Sequence, residues 1–332
     1  MGVTEVDRVQ LQPGTQRPRA ARVIGGRPWQ DPVLDQACDA VHERYLRVGA
    51  AALWETRTDF ELRSLRVEAL ARAAVGWSMG IEALLAQDPN NPDLHLWLGR
   101  TRVEEAWKIR PEARSRSMQA GVYQAFTKAL NSARVPLRTA ADLFPDDPVP
   151  WESMLWLALG LEAEIEDKNN IWRKVVERWP TLYGAHVARV ISLSPQWGGV
   201  AEEMFDFARV AMSMSAREDP RAALIPLAYF EYFVQERSSI IRGASSWFSD
   251  EEIRDVEAAA RGWHEGPRPH PRTVEAHNLF GAAFHLGDAR RPARNHLART
   301  QGRPSSLPWT YLGGNEEDQY LKACKHLNVL SP

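Results

Sequence analysis

Ala276-His277-Asn278-Leu279-Phe280-Gly281-Ala282-Ala283-Phe284-His285-Leu286-Gly287-Asp288, followed by Ala293 and Leu297, is the stretch from which the fold is read. Small and large apolar residues recur at the spacing of neighbours on a helix face, and Gly287-Asp288 marks a turn between two helices. Gly281 leaves room for a second helix to approach, Phe284 fills the gap, and Ala293 and Leu297 form the answering face. The expectation is an α-α hairpin. Hairpins of this kind stack into scaffolds that bind other proteins, so the stretch points away from catalysis.

Working outward, the chain reads as helix after helix. Asp31-Pro32 is a cap followed by proline at the first helical position, and Leu34, Ala37, Cys38, Val41 and Tyr45 give an apolar stripe broken at Gly49. A second helix runs from Asp59 to about Gly76, and a short return helix carries Ile81, Leu84 and Leu85 up to Asp88-Pro89. Leu94, Trp97, Leu98 and Ala106 begin the next hairpin. Its return helix, Val122 to Leu143, holds Pro136, which is expected to kink or split it. Asp146-Asp147-Pro148 restarts the pattern with Trp151, Leu155 and Leu159, answered by Ile171, Trp172 and Val175. Segments 182–191 and 199–212 follow, then Asp219-Pro220 opens a helix through Tyr232. Ser249-Asp250-Glu251-Glu252 is a capping box, and Asn315 caps a last helix whose first turn carries Glu316, Glu317 and Asp318. No window alternates as a strand does, so the fold class is all-α. Restarts at Pro92, Pro148, Pro180, Pro220 and Pro271 are unevenly spaced, which makes the repeats degenerate.

Residues 1–30 hold Pro13, Gly14, Pro18, Gly25, Gly26 and Pro28 among Arg17, Arg19, Arg22 and Arg27, and are read as a flexible basic arm ahead of one helical domain, 31–332. The 332-residue chain is 44% hydrophobic and 25% charged, ordinary for a folded protein, and its net charge of −2 excludes a globally basic nucleic-acid coat. Arginine and alanine dominate over lysine, which suggests a GC-rich bacterial source. Thirteen tryptophans are expected to span gaps between hairpins as core residues, with a carbohydrate- or cation-binding stack as the rival. Two distant cysteines, Cys38 and Cys324, form neither a CxxC pair nor a disulfide framework. No apolar run approaches the roughly 18 residues that span a bilayer, and residues 1–30 lack a signal-peptide core, so a cytoplasmic location is expected.

Three segments resemble a known group: Ser194-Pro195-Gln196-Trp197-Gly198-Gly199 leading into Met204, Phe207, Ala208 and Arg209; Asp147-Pro148-Val149-Pro150-Trp151; and Pro308-Trp309-Thr310-Tyr311-Leu312-Gly313-Gly314. With the hairpin, which is close to the tetratricopeptide pattern, they make the chain similar to uncharacterised actinobacterial tetratricopeptide-like proteins from about residue 31 to its end. The resemblance implies an α-α hairpin array, an α-solenoid with degenerate repeats. It brings no reaction and no catalytic residues. Gln196 stands where that element has arginine.

Constellations that carry chemistry are few. His264, His270, His277, His285 and His296 crowd one region near Glu265 and Asp288. His277 and His285 lie eight residues apart, roughly 12 Å along a helix, and no HxxxH pair is present, so surface or packing histidines are expected and no metal. Glu162 and Glu166 share a helix face at i, i+4 spacing, which suits an acid–base pair or, more commonly, a solvated face. Gly198-Gly199 precedes a helix and offers amides to an anion, unless it is only a tight turn. Cys38 matches part of a caspase-type signature without its following glycine and is read as buried. No catalytic, cofactor-binding or metal residue is assigned, and no cofactor. The leading expectation is a non-catalytic interaction module holding a peptide or partner protein in a helical groove, with no membrane or nucleic-acid partner. The alternatives are a helical-cavity accessory enzyme or small-molecule binder, and a DNA-associated regulator using the arm.

Overall fold

The computed structural model describes residues 23–109, 120–237 and 247–329, and every regular element among them is helical. Asp31 caps α1 (Pro32–His42), accepting from the Val33 and Leu34 amides. Leu34, Ala37, Cys38 and Val41 are its buried stripe, but Tyr45 falls beyond the helix and is exposed. The break comes at Arg44, whose φ is +73°, and not at Gly49, which lies inside α2 (Leu46–Trp54). Gly49 answers to packing: a Cβ there would meet Trp97 and Val41 at 2.8 Å.

Asp59 caps α3 (Phe60–Ala73), and α4 (Ser78–Leu85) returns as expected. The long pair α5 (Pro92–Ile109) and α6 (Ala120–Leu143) packs side by side, and Pro136 does not split α6. Then follow α7 (Val149–Gly160), α8 (Ile165–Val176), α9 (Tyr183–Leu193) and α10 (Ala201–Ser213). A 3-10 turn at Pro220–Ala223 leads into α11 (Leu224–Arg237). The Ser249–Glu252 capping box forms at the start of α12 (Asp250–Gly262). The hairpin comes next, α13 (Thr273–Leu286) against α14 (Arg290–Arg299), then the short α15 (Ser306–Trp309) and α16 (Glu316–His326), capped by Asn315.

Inside the hairpin Phe284, Ala293 and Leu297 are buried together, and a Cβ on Gly281 would lie 2.5 Å from Leu297 Cδ2. Asp288, at φ +56°, takes the left-handed turn position. Gly287 serves a different end, since its Cβ would strike Ile253 of α12 at 2.1 Å. The close approach of α12 is therefore written into that glycine.

Two main apolar cores form. One gathers α1 to α7 around Trp97, and the other gathers α9 to α16 around Phe280 and Trp309. A smaller cluster around Leu155, Val175 and Leu182 lies beside them. The ends of the described chain also meet. The Ile24 amide donates to the Gly302 carbonyl at 2.9 Å, and Arg303 reaches Asp35 at 3.2 Å and the Arg27 carbonyl at 3.1 Å. Of the expected arm, residues 1–22 lie outside the described residues. Trp29 is buried and donates to Asp35.

Helix α3 is the hub, and its polar residues do the joining. Arg63, wholly buried, lies 2.7 Å from both Asp93 at the start of α5 and Asp147 before α7. Arg66 binds Asp31, and Glu61 accepts from Trp179, from the Tyr183 amide and faces His270 at 3.2 Å. Ser64 and Glu68 meet Arg272, 208 and 204 residues away. Buried charges of this kind are tolerated only when paired, and here each pairing ties α3 to another element. No helix of the described residues is long and apolar enough to cross a membrane.

Candidate functional site

A cavity of about 690 Å³ opens between the end of α12, the 263–265 segment, α13 and α14. Trp263, Phe284 and His296 give it flat apolar walls, while Glu265, His277 and Arg299 give it polar ones. The hairpin positions both imidazoles. His277 projects from α13 and is almost wholly buried, and His296 answers it from α14.

The three side chains form one hydrogen-bonded line. Glu265 Oε1 lies 2.6 Å from His277 Nε2, and His277 Nδ1 lies 2.9 Å from His296 Nδ1. Arg299 Nε also reaches Glu265 Oε1, at 3.2 Å. A carboxylate can only accept, so His277 donates through Nε2 and carries its lone pair on Nδ1. His296 must then donate through Nδ1, which leaves its lone pair on Nε2. That nitrogen makes no hydrogen bond within the described residues. The tautomers follow from the hydrogen-bond logic, since heavy-atom positions alone do not carry them.

Burial favours the neutral form of both rings, against the Glu265 carboxylate at His277 Nε2, which favours the charged one. Desolvation pushes His277 down to about 3, with Arg299 adding repulsion, and His296 down to about 3, with His277 and Arg299 adding theirs. Aromatic neighbours supply the apolar surround: Trp263 lies 4.7 Å from the His277 ring, and Phe280 lies 5.1 Å from His296. The line offers a ligand one acceptor, and it can pass a proton between His296 and Glu265.

The five histidines, expected as surface or packing residues, divide. His277 and His296 are brought together because the hairpin folds positions 19 apart onto one another, a juxtaposition that spacing along a single helix misses. The other three separate. His270 faces Glu61, His285 packs against His326 with ring centres 5.3 Å apart, and His264 is exposed at the cavity rim. Among the described residues no group of three or more His, Cys, Asp or Glu side chains is arranged to hold a metal ion.

Glu162 and Glu166 do not share a helix face. Glu162 sits at φ +52° in the turn before α8, and Glu166 pairs with Arg173 at 3.2 Å. The Gly198 and Gly199 amides are consumed by a turn, donating to the carbonyls of Pro195 and Ser194, so they offer nothing to an anion. Cys38 is buried and its thiol is pushed up to about 12, which makes it an inert core residue. In the sequence Glu265 stands out only as a carboxylate near the histidines, and Trp263 is not singled out; both sit past the end of α12 with no periodicity to mark their roles. Compared with known protein families, curated proteins and solved structures, the chain matches none.

Proposed function

We propose that this chain is a small-molecule binder whose cavity holds a planar, partly apolar ligand beside Trp263. The hydrogen-bonded Glu265–His277–His296 line carries the reading. It presents one fixed acceptor, His296 Nε2, to a ligand bearing an N–H or O–H, while Arg261 and Arg299 at the cavity edge are paired with Glu257 and Glu265. Binding is favoured over catalysis because imidazoles held neutral down to about pH 3 are weak bases near neutrality. The framework is read as a degenerate tetratricopeptide-like hairpin array, akin to the actinobacterial group, in a reducing cytoplasm that suits two free, buried cysteines.

The test is a metabolite screen by native mass spectrometry on the full chain, repeated with His296→Phe and Trp263→Leu. A ligand that both variants bind at least tenfold more weakly supports the reading. Equal binding by wild type and both variants sinks it.

A second reading, the interaction module, rests on exposed apolar residues around α2 and α4: Tyr45, Trp54 and Met79, at 64%, 63% and 81% exposure. Tyr45→Ser, Trp54→Ser and Met79→Ser together should abolish cross-linking to a protein partner in the native host. An unchanged cross-linking pattern removes that reading.

A further inference from the structure

A second cavity, of about 70 Å³, lies where α3 meets α9 and the start of α13. At about 10–15 Å³ per water-sized centre, it has room for roughly five to seven heavy atoms. Glu68, Arg72, Trp156, Tyr183, Arg272 and Glu275 line it. Gly184 lets α9 come in close, since a Cβ there would lie 2.3 Å from Glu152 Oε1 and 2.7 Å from Ser64 Oγ.

The polar accounts of this wall do not balance. Arg272 spends its Nη atoms on Glu275 at 2.7 Å, Glu68 at 2.8 Å and Ser64 at 3.1 Å, but its Nε has no partner. The Tyr183 hydroxyl and the Trp156 indole N–H have none either. Tyr183 and Arg272 are each more than nine-tenths buried. Burial pushes the Tyr183 hydroxyl well up, so it stays protonated and able to donate. Three of the four carboxylate oxygens on this wall, by contrast, are engaged. Glu68 takes Arg72 at 2.6 Å on one oxygen and Arg272 on the other, and Glu275 Oε1 takes Arg272. Three donors on lining side chains are left over, and an orphaned buried donor is costly.

We propose that this cavity is a separate ligand site, built for a small monocarboxylate. A carboxylate is acceptor-only and can take several N–H and O–H donors at once. A dianion is disfavoured because both guanidinium groups already face carboxylates. An added ammonium group finds Glu68 engaged on both oxygens and only Glu275 Oε2 left to accept.

Glu152 balances the incoming charge. Its Oε1 accepts from Ser64 of α3, its Oε2 is unpartnered, and Arg272, Arg100 of α5, Glu68 and the backbone at Gly184 of α9 surround it. Burial pushes its carboxyl up to about 7, against the pull of Arg272 and Arg100. Taking up a proton there offsets the anion, so binding weakens as pH rises from about 6 to 8.

Calorimetric titration of the full chain with acetate, lactate, glycine and inorganic phosphate at pH 6 and pH 8 tests this. Acetate and lactate are expected to bind, more tightly at pH 6. Tyr183→Phe should lose about tenfold or more in affinity while keeping its thermal stability, because its hydroxyl holds nothing in the fold. Glu152→Gln should bind with the pH dependence removed. His277→Gln should bind as wild type does, which separates this site from the larger cavity. The proposal is overturned by no carboxylate binding, by tighter binding of glycine or phosphate, or by unchanged affinity in Tyr183→Phe.

Discussion

Acidification should unload the hairpin, and the size of the effect follows from where the two histidines sit. His277 and His296 are held neutral in the folded chain, both pushed down to about 3 by burial. In the unfolded chain each titrates near about 6.5. Between these values the unfolded state binds more protons, so folding stability is lost as pH falls below about 6.5 and is unaffected above it. At pH 5 an unfolded histidine gains about 2 kcal/mol from protonation that the folded ring cannot take up. Two rings give about 4 kcal/mol between pH 7 and pH 5. That figure depends only on the unfolded value as long as the folded ones lie below about 4. The whole protein will not display it directly, because Glu152 and Glu231, both pushed up to about 7 by burial, gain stability over the same interval. The difference between wild type and His277→Gln/His296→Gln isolates the pair. In urea unfolding followed by tryptophan fluorescence, the variant should start less stable at pH 7 and recover about 4 kcal/mol relative to wild type by pH 5. A difference that stays flat with pH, or ring resonances that titrate near 6.5, would refute the buried neutral pair.

In the Arg63–Asp93–Asp147 cluster, Arg63→Met should cost about 3–5 kcal/mol, because Asp147 is left buried without its cation while Asp93 keeps only Arg57, and thermal unfolding would register it as a large drop in midpoint. Replacing all three with Met, Leu and Leu should restore most of that loss; a triple variant no more stable than the single would contradict the reasoning. Gly281→Ala should cost about 1–3 kcal/mol through its contact with Leu297, and a double-mutant cycle with Leu297→Ala should show favourable coupling. Strict additivity in that cycle would mean that the two helices do not meet there.

Where local chemistry decides, the sequence is legible. Asp31, Ser249 and Asn315 cap the helices they were expected to cap, and the small-large pattern around Gly281 places α13 on α14. Gly49 shows the limit of that reading. A glycine that admits Trp97 looks the same in sequence as one that ends a helix. The histidine site was partly within reach, since His277 and His296 are placed nearly symmetrically about the turn at Gly287. Reflection across that turn pairs them, whereas spacing along one helix does not. Glu265 had no such signal, because it lies in an irregular segment whose path is set by contacts such as the His264 amide on the Arg217 carbonyl. The α3 hub was the least legible of all. Its apolar stripe is real, yet Arg63, Ser64, Arg66 and Glu68 look like a solvated face until their partners, up to 208 residues distant, are known.

The two ion clusters on α3 therefore invite different explanations although their composition is alike. Swapping a whole buried ion cluster for apolar residues is often neutral or stabilising, so stability alone does not account for either. The Arg63 cluster is closed: one guanidinium lies against two carboxylates at 2.7 Å each, and what it supplies is registry, locking α3, α5 and the approach to α7 in one arrangement. The Arg272 cluster is open. It leaves a guanidinium N–H unpartnered, has a phenol and an indole N–H in the same state nearby, keeps a glycine where any side chain would collide, and encloses a cavity. Registry needs none of those features, and each of them has a cost when nothing occupies the space. A ligand that completes the hydrogen bonds removes the cost, and it would tighten the contact between the N-terminal half, through Glu68, and the C-terminal half, through Tyr183 and Arg272. Occupancy of the small cavity should in that case stabilise the junction that also sets the start of α13, the helix from which His277 reaches the larger cavity.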